Sequence, residues 1–185
     1  MAATQKKQMH LLATADGVAP EKVRRPIAAS QGIFMPGAPC FVDGTTGQVT
    51  LADTCDGTGD VFHGFITGLS DKTVTWPLAA ELSANAEVEV ELIDVNDYYA
   101  VYVEAGGTDA AAPQTLVGDS YGLNVATTPA GVIGYTTMNT SNSNTAVIVV
   151  DVMANRNAIK FDTTTAPGVA IVKFLTANVN VTKAS

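Results

Sequence analysis

The chain is short of the side chains that catalysis, metal binding and nucleic-acid binding draw on most: two His, two Cys, one Trp and ten Lys and Arg together. Few cations, a net charge of −8 and an isoelectric point near 4.5 argue against a nucleic-acid-binding domain, because phosphate backbones are gripped mainly by clustered Lys and Arg. Long apolar runs are also missing. No stretch approaches the roughly 18 to 20 uncharged apolar residues that span a bilayer. Lys6, Lys7 and His10 stand ahead of only Leu11-Leu12, too short for the apolar region of a signal peptide, so neither membrane insertion nor secretion by the usual route is expected.

What the chain does have is apolar content, 46% of its 185 residues with a mean hydropathy of +0.19, enough to rule out a disordered tail and to build one or two small packed domains. Thr, Ala, Val, Gly and Asn dominate, as suits a β-rich structural or binding protein. The charge is unevenly spread. Residues 1–25 carry Lys6, Lys7, Lys22, Arg24 and Arg25 against Asp16 and Glu21, a net of +3, which leaves −11 on residues 26–185. With no convincing hydrophobic period, this stretch reads as an extended, strandless basic arm on an acidic body, suited to reaching an acidic surface, or else as a solvated, disordered leader.

From Gln31 the texture changes to short β-like runs. Cys40-Phe41-Val42 and Gln48-Val49-Thr50-Leu51 flank Asp43-Gly44-Thr45-Thr46-Gly47, whose Asp-Gly and Thr-Gly steps supply the positive φ a tight hairpin needs. The glycines of Val61-Phe62-His63-Gly64-Phe65-Ile66-Thr67-Gly68 predict a bulged or sharply bent strand. Glu87 to Leu92 alternates carboxylates with aliphatics at period two, a half-buried antiparallel strand, and a hairpin through Asp94 to Asp97 leads into Tyr98 to Val103. Gly106 to Pro113, small and flexible, reads as a linker or long loop between two halves. Strand-like runs resume at Leu116, Tyr121, Val132, Ala146, Val169 and Val179. Many short strands at this spacing, with almost no helical period, mean an all-β sandwich or barrel.

The chemical motifs weigh less than their ordinary readings. Gly118-Asp119-Ser120-Tyr121-Gly122 fits the nucleophile-elbow pattern, but that turn needs a following helix and a later histidine, and His10 and His63 both lie upstream. Asp53, Asp56 and Asp60 could gather oxygen ligands for calcium, yet lack the EF-hand spacing and its terminal Glu, so a solvated loop is favoured. The row Glu87, Glu89, Glu91 reads as a solvent face that could meet a basic arm from a neighbouring subunit. His63, between Phe62 and Gly64 in an apolar run, reads as a packed or hydrogen-bonded core histidine. Cys40 and Cys55 flank the hairpin; two reduced thiols are favoured over a bridge. Asn139 and Asn180 match the glycosylation acceptor pattern, without consequence in a chain lacking a secretory signal. Neither a phosphate-binding loop nor a dinucleotide fingerprint is present.

The stretch from Gly32 to Leu51, followed by Val61-Phe62-His63-Gly64-Phe65-Ile66, resembles the small β-barrel of tailed-bacteriophage head decoration, or capsid cement, proteins. There a G-x-P-V-x-x-D-x-x-T-G-x-V hairpin leads into a strand with an apolar-x-G-apolar core; Cys40 stands where the family has an aliphatic. Tyr102 to Gly107, Leu116 to Tyr121 and Thr145 to Val152 are similar to the second β module of phage capsid-associated proteins. The resemblance implies a non-enzymatic virion protein, made in the host cytoplasm, that binds the outer capsid surface and clamps neighbouring major capsid subunits. It also implies a homotrimer and an N-terminal arm that lies along the capsid or pairs with one of its strands.

The expectation is therefore an all-β protein: an extended basic arm over residues 1–30, a first β-barrel or sandwich module over 31–105 and a second over 113–185. The major capsid protein is the expected partner, reached through Lys6, Lys7, Lys22, Arg24 and Arg25, with no catalytic residue, cofactor, metal, nucleic acid, membrane or small-molecule substrate. The alternative is a carbohydrate-binding or adhesin module, for which Trp76 and the pair Tyr98-Tyr99 are the candidate platform.

Overall fold

Alternation fixes the clearest strand. In a computed structural model that describes residues 9–52, 62–69, 80–127, 133–141, 145–153 and 167–179, Glu87–Leu92 is extended, with Val88 and Val90 fully buried and Glu87 exposed. In chain order the strands are β1 (His10–Ala13), β2 (Lys22–Pro26), β3 (Ala38–Val42), β4 (Val49–Leu51), β5 (Gly64–Leu69), β6 (Glu87–Leu92), β7 (Tyr98–Ala105), β8 (Thr108–Asp109), β9 (Ser120–Thr127), β10 (Ile133–Asn139), β11 (Val147–Met153) and β12 (Val169–Phe174). Two short 3₁₀ turns, Gln114–Leu116 and Thr176–Asn178, complete the described elements. The protein is all-β, as its composition and periodicity predict.

The strands form two sheets. One runs β2-β6-β5-β3-β4 and is antiparallel throughout. Just past β2, Ile27 bridges Val49 and the Ala28 amide donates to the Val49 carbonyl, so β4 returns to the strand that began the path. The β3–β4 hairpin forms, with the positive φ at Gly47 of the Thr-Gly step and not at Gly44 of the Asp-Gly step. Gly47 takes a φ of 70°, and Asp43 Oδ1 accepts from the amides of Thr45 and Thr46, the two bonds that hold this carboxyl below its ordinary range, Thr46 foremost. The glycine-rich β5 shifts register between Ile66 and Gly68. Gly64 is required for closeness: a Cβ there would lie 2.2 Å from the Glu91 carbonyl oxygen.

The other sheet runs β1-β7-β10-β9-β11-β12, with β8 beside β7, and β12 also pairs with β7, so five strands close into a ring. Among the described strands its one parallel pairing is β10 with β7. Tyr99, Ala100, Val101 and Val103 of β7 are all buried, so this strand carries core on both faces.

Three expectations change. The described part of the arm, residues 9–30, is not strandless: β1 joins one sheet and β2 the other. An edge strand needs only one apolar face, and Lys-Val-Arg-Arg-Pro supplies too few hydrophobic positions to register as a period. Asp94 to Asp97 is not a hairpin, because β6 and β7 lie in different sheets; it is a turn held by the Asp97 amide donating to the Asp94 carbonyl. Sheet membership therefore changes between Leu92 and Tyr98 rather than across Gly106 to Pro113. That glycine pair instead turns β7 into β8, while Ala112 is fully buried and Gly168 has room for no side chain beside it.

Between the sheets lies a cluster of rings. Phe62 and Phe65 come from the first sheet's side, and Tyr99 and Phe174 from the second. Phe174 stands at its centre, with ring centroids 5.3 Å from Phe62, 6.2 Å from Phe65 and 5.2 Å from Tyr99. Edge-to-face and tilted arrangements of this kind add attraction to the burial of the rings themselves. Phe62, just before β5, also bridges Val179, beyond β12, so the segments flanking these two strands are joined through their backbones.

Candidate functional site: a charged edge on the first sheet

The pairing of β2 with β6 sets opposite charges against each other. Lys22 lies across from Glu91 and Arg24 across from Glu89, while Val23 and Arg25 face Val90 and Val88. Period two in both strands puts Lys22, Arg24, Glu87, Glu89 and Glu91 on one face. The Lys22 Nζ donates to Glu89 Oε1 at 3.3 Å, and Thr67 Oγ1 of β5 donates to the same oxygen at 3.1 Å. These two bonds, Lys22 first, hold the Glu89 carboxyl below its ordinary range. Arg24 is exposed and, among the described residues, forms no ion pair.

Arg25 turns the other way. It is half-buried, and its Nε is enclosed without a hydrogen-bond partner. His63 is buried as a core histidine, 4% exposed, with both ring nitrogens likewise unpartnered. Burial, and secondarily the charge of Arg25, push its pKa down. Its backbone is fully engaged, the amide donating to the Cys40 carbonyl and the carbonyl accepting from Ile93.

Of the five cations expected to bind a partner, Lys22 and Arg24 share the exposed face and Arg25 leaves it. Lys6 and Lys7 lie outside the described residues, as do Cys55, Trp76, Asn180 and the acidic loop with Asp53, Asp56 and Asp60. The acidic row was legible, and so was its fitness for a basic strand. That the strand comes from the same chain was not, although the matched spacing of Lys22-x-Arg24 and Glu87-x-Glu89-x-Glu91 carries the signal.

The other candidates fall into structural places. Cys40 is free and buried, its Sγ directed at the Gly64 carbonyl, and burial raises its pKa to about 12. Ser120 opens a strand, so the strand-to-helix turn of a nucleophile elbow does not form there. Tyr99 is buried, and the Lys173 Nζ sits 4.3 Å over the Tyr98 ring, which removes this pair as a stacking platform for sugars. Asn139 Oδ1 accepts from the Gly106 and Ser141 amides. Among the described residues no three His, Cys, Asp or Glu side chains are grouped to hold a metal, and no helix is long and apolar enough to cross a membrane. No protein-family model, no curated protein and no solved structure matches the chain.

Proposed function

We propose that the chain is a virion structural protein that binds the outer surface of an assembled phage capsid and stabilises it by clamping neighbouring major capsid subunits. The observation that carries this reading is the exposed cationic pair Lys22 and Arg24 held on a sheet edge, rather than on a loose tail. A strand fixed by backbone pairing presents charge at low conformational cost, and a modest contact repeated over a lattice becomes strong through multivalency. The likeness of the Gly32 to Leu51 hairpin to the decoration-protein barrel supports the same reading. In it the protein acts by binding alone, as a homotrimer on the outer capsid face.

The test is co-sedimentation of the purified protein with mature, undecorated phage heads, with occupancy and the temperature of capsid disruption recorded together. Saturable binding that raises the disruption temperature is the expected result. Failure to bind heads, alongside retention on a glycan array, would overturn the reading in favour of an adhesin module.

A further inference from the structure

The second sheet buries a carboxylate on its outward side. Along β7, β9 and β10 the core is filled by Val103, Leu123 and Met138, so period two turns their neighbours Glu104, Asn124 and Thr137 to the opposite face. Register brings the three together. Thr137 lies directly across from Asn124 on one side and from Tyr102 on the other, while Asn139, two residues on, lies across from Glu104. The Asn139 side chain is tied down by the Gly106 and Ser141 amides, and Glu104 reaches past it over β10, where Asn124 Nδ2 donates to Glu104 Oε1.

Two of these groups are short of partners. Glu104 is only 7% exposed, a depth at which a glutamate ordinarily has a cation beside it, yet among the described residues none pairs with it. Thr137 is 3% exposed, and its Oγ1 is enclosed with no hydrogen-bond partner among the described residues. Buried hydroxyls are mostly satisfied, so an orphaned one beside an uncompensated carboxylate points to a missing donor that carries positive charge.

We infer that Glu104, Thr137 and Asn124 form a binding site for a primary ammonium, the tip of a lysine side chain or of a free alkylamine. Counting selects that guest. An ammonium has three donors and no acceptor, and the site offers a carboxylate, a hydroxyl and, once the Asn124 amide turns over, its Oδ1. Calcium takes about six to eight oxygens, more than these three side chains supply. In place of the neutral Asn124 amide, the guest gives Glu104 a charge-assisted bond, which is the stronger kind. Tyr102, beside Thr137 on the same face, supplies a ring against which the apolar stem and its cation can lie. The site is on the sheet that does not carry Lys22 and Arg24, and it stands or falls apart from capsid binding.

The probe is Nα-acetyl-lysine methylamide, titrated into the full chain while the Asn124 side-chain amide resonances are followed by NMR. Saturable shifts are expected. The norleucine counterpart, which has the same stem without the ammonium, should produce none, a comparison that needs no variant to fold. Glu104→Gln should weaken binding about tenfold or more, and Thr137→Val about threefold or more, while Thr137→Ser, which keeps the hydroxyl, should bind as the wild type does. n-Butylamine separates the sources: affinity equal to that of the lysine derivative assigns the site to free amines, and lower affinity assigns it to lysine within a protein. Absence of saturable shifts, equal response to the norleucine compound, unchanged affinity in Glu104→Gln, or shifts by calcium chloride at lower concentration than the amine would each overturn the inference.

Discussion

The Lys22 ammonium reaches diagonally to Glu89 of the adjacent strand, 3.3 Å away, instead of stopping at Glu91 directly opposite. Both side chains keep more than a third of their surface in water, so the bond aligns β2 on β6 without contributing much stability. A double-mutant cycle of Lys22→Ala and Glu89→Ala, read by urea denaturation, should give a coupling of about 0.2–1 kcal/mol that shrinks as salt is added. Because Glu89 titrates below its ordinary 4.5 in the folded chain, the coupling should be present above that pH and fade as pH falls through the folded value. A coupling that persists at pH 2 would show that the carboxylate is not its source.

Gly64 should be irreplaceable where Gly68 is not. A Cβ on Gly64 would lie 2.2 Å from the Glu91 oxygen and 2.6 Å from Val90 Cγ1, whereas one on Gly68 meets nothing within 4 Å. Gly64→Ala should cost about 1–3 kcal/mol by forcing β5 from β6, and Gly68→Ala should stay within about 0.5 kcal/mol. Chemical denaturation of the two variants decides the matter; equal effects would refute the packing argument.

Acid should loosen the protein through His63. Its folded pKa is depressed below 6.5 by burial and then by Arg25, so the unfolded chain takes the proton first. The stability that comes from keeping this ring neutral is complete above pH 6.5 and is lost as pH falls through that value towards the lower folded one. The difference in Tm between pH 7 and pH 5 should be smaller in His63→Leu than in the wild type. An unchanged slope would rule His63 out.

Cys40 should behave as a hydrophobe. With its pKa near 12 and no exposed surface, it should resist iodoacetamide at about pH 8 and label only as fast as the chain unfolds, followed by peptide mass spectrometry. Rapid native-state labelling would contradict its burial.

Removing the central ring should weaken both sheets together. Phe174→Ala deletes contacts with Phe62, Phe65 and Tyr99 at once and should cost about 3–5 kcal/mol. Coincident unfolding of probes in the two sheets is the expected observation; two separated transitions would show that the ring cluster does not couple them.

How much of this was readable in advance depended on how local the information was. The Glu87 to Leu92 alternation and the Asp43 to Gly47 turn specify themselves within a few residues, and the strand and the hairpin both form. The burial of His63 follows from its apolar neighbours. What local sequence does not encode is the choice of partner. Tyr98 to Val103 reads equally well as the second arm of a hairpin, and only its burial on both faces sends it to the other sheet. β2 escapes detection because pairing, not its own hydrophobicity, makes it a strand. The candidate edge needed both facts at once: two cations at alternate positions, and their placement on a paired strand rather than a loose arm.

The tie made by β1 and β2 has a consequence for how the chain comes off the ribosome. His10 pairs with Ala100 and Lys22 with Glu91, so β1 and β2 wait for partners some 70 to 90 positions downstream. At about 5–20 residues per second, that is a delay of roughly 3–18 s during which β1 and β2 have no partner to join. Contacts this distant also slow folding after release. The cations that dress β2 thus have an earlier duty, keeping an unpaired strand soluble until the acidic one it belongs beside has been made.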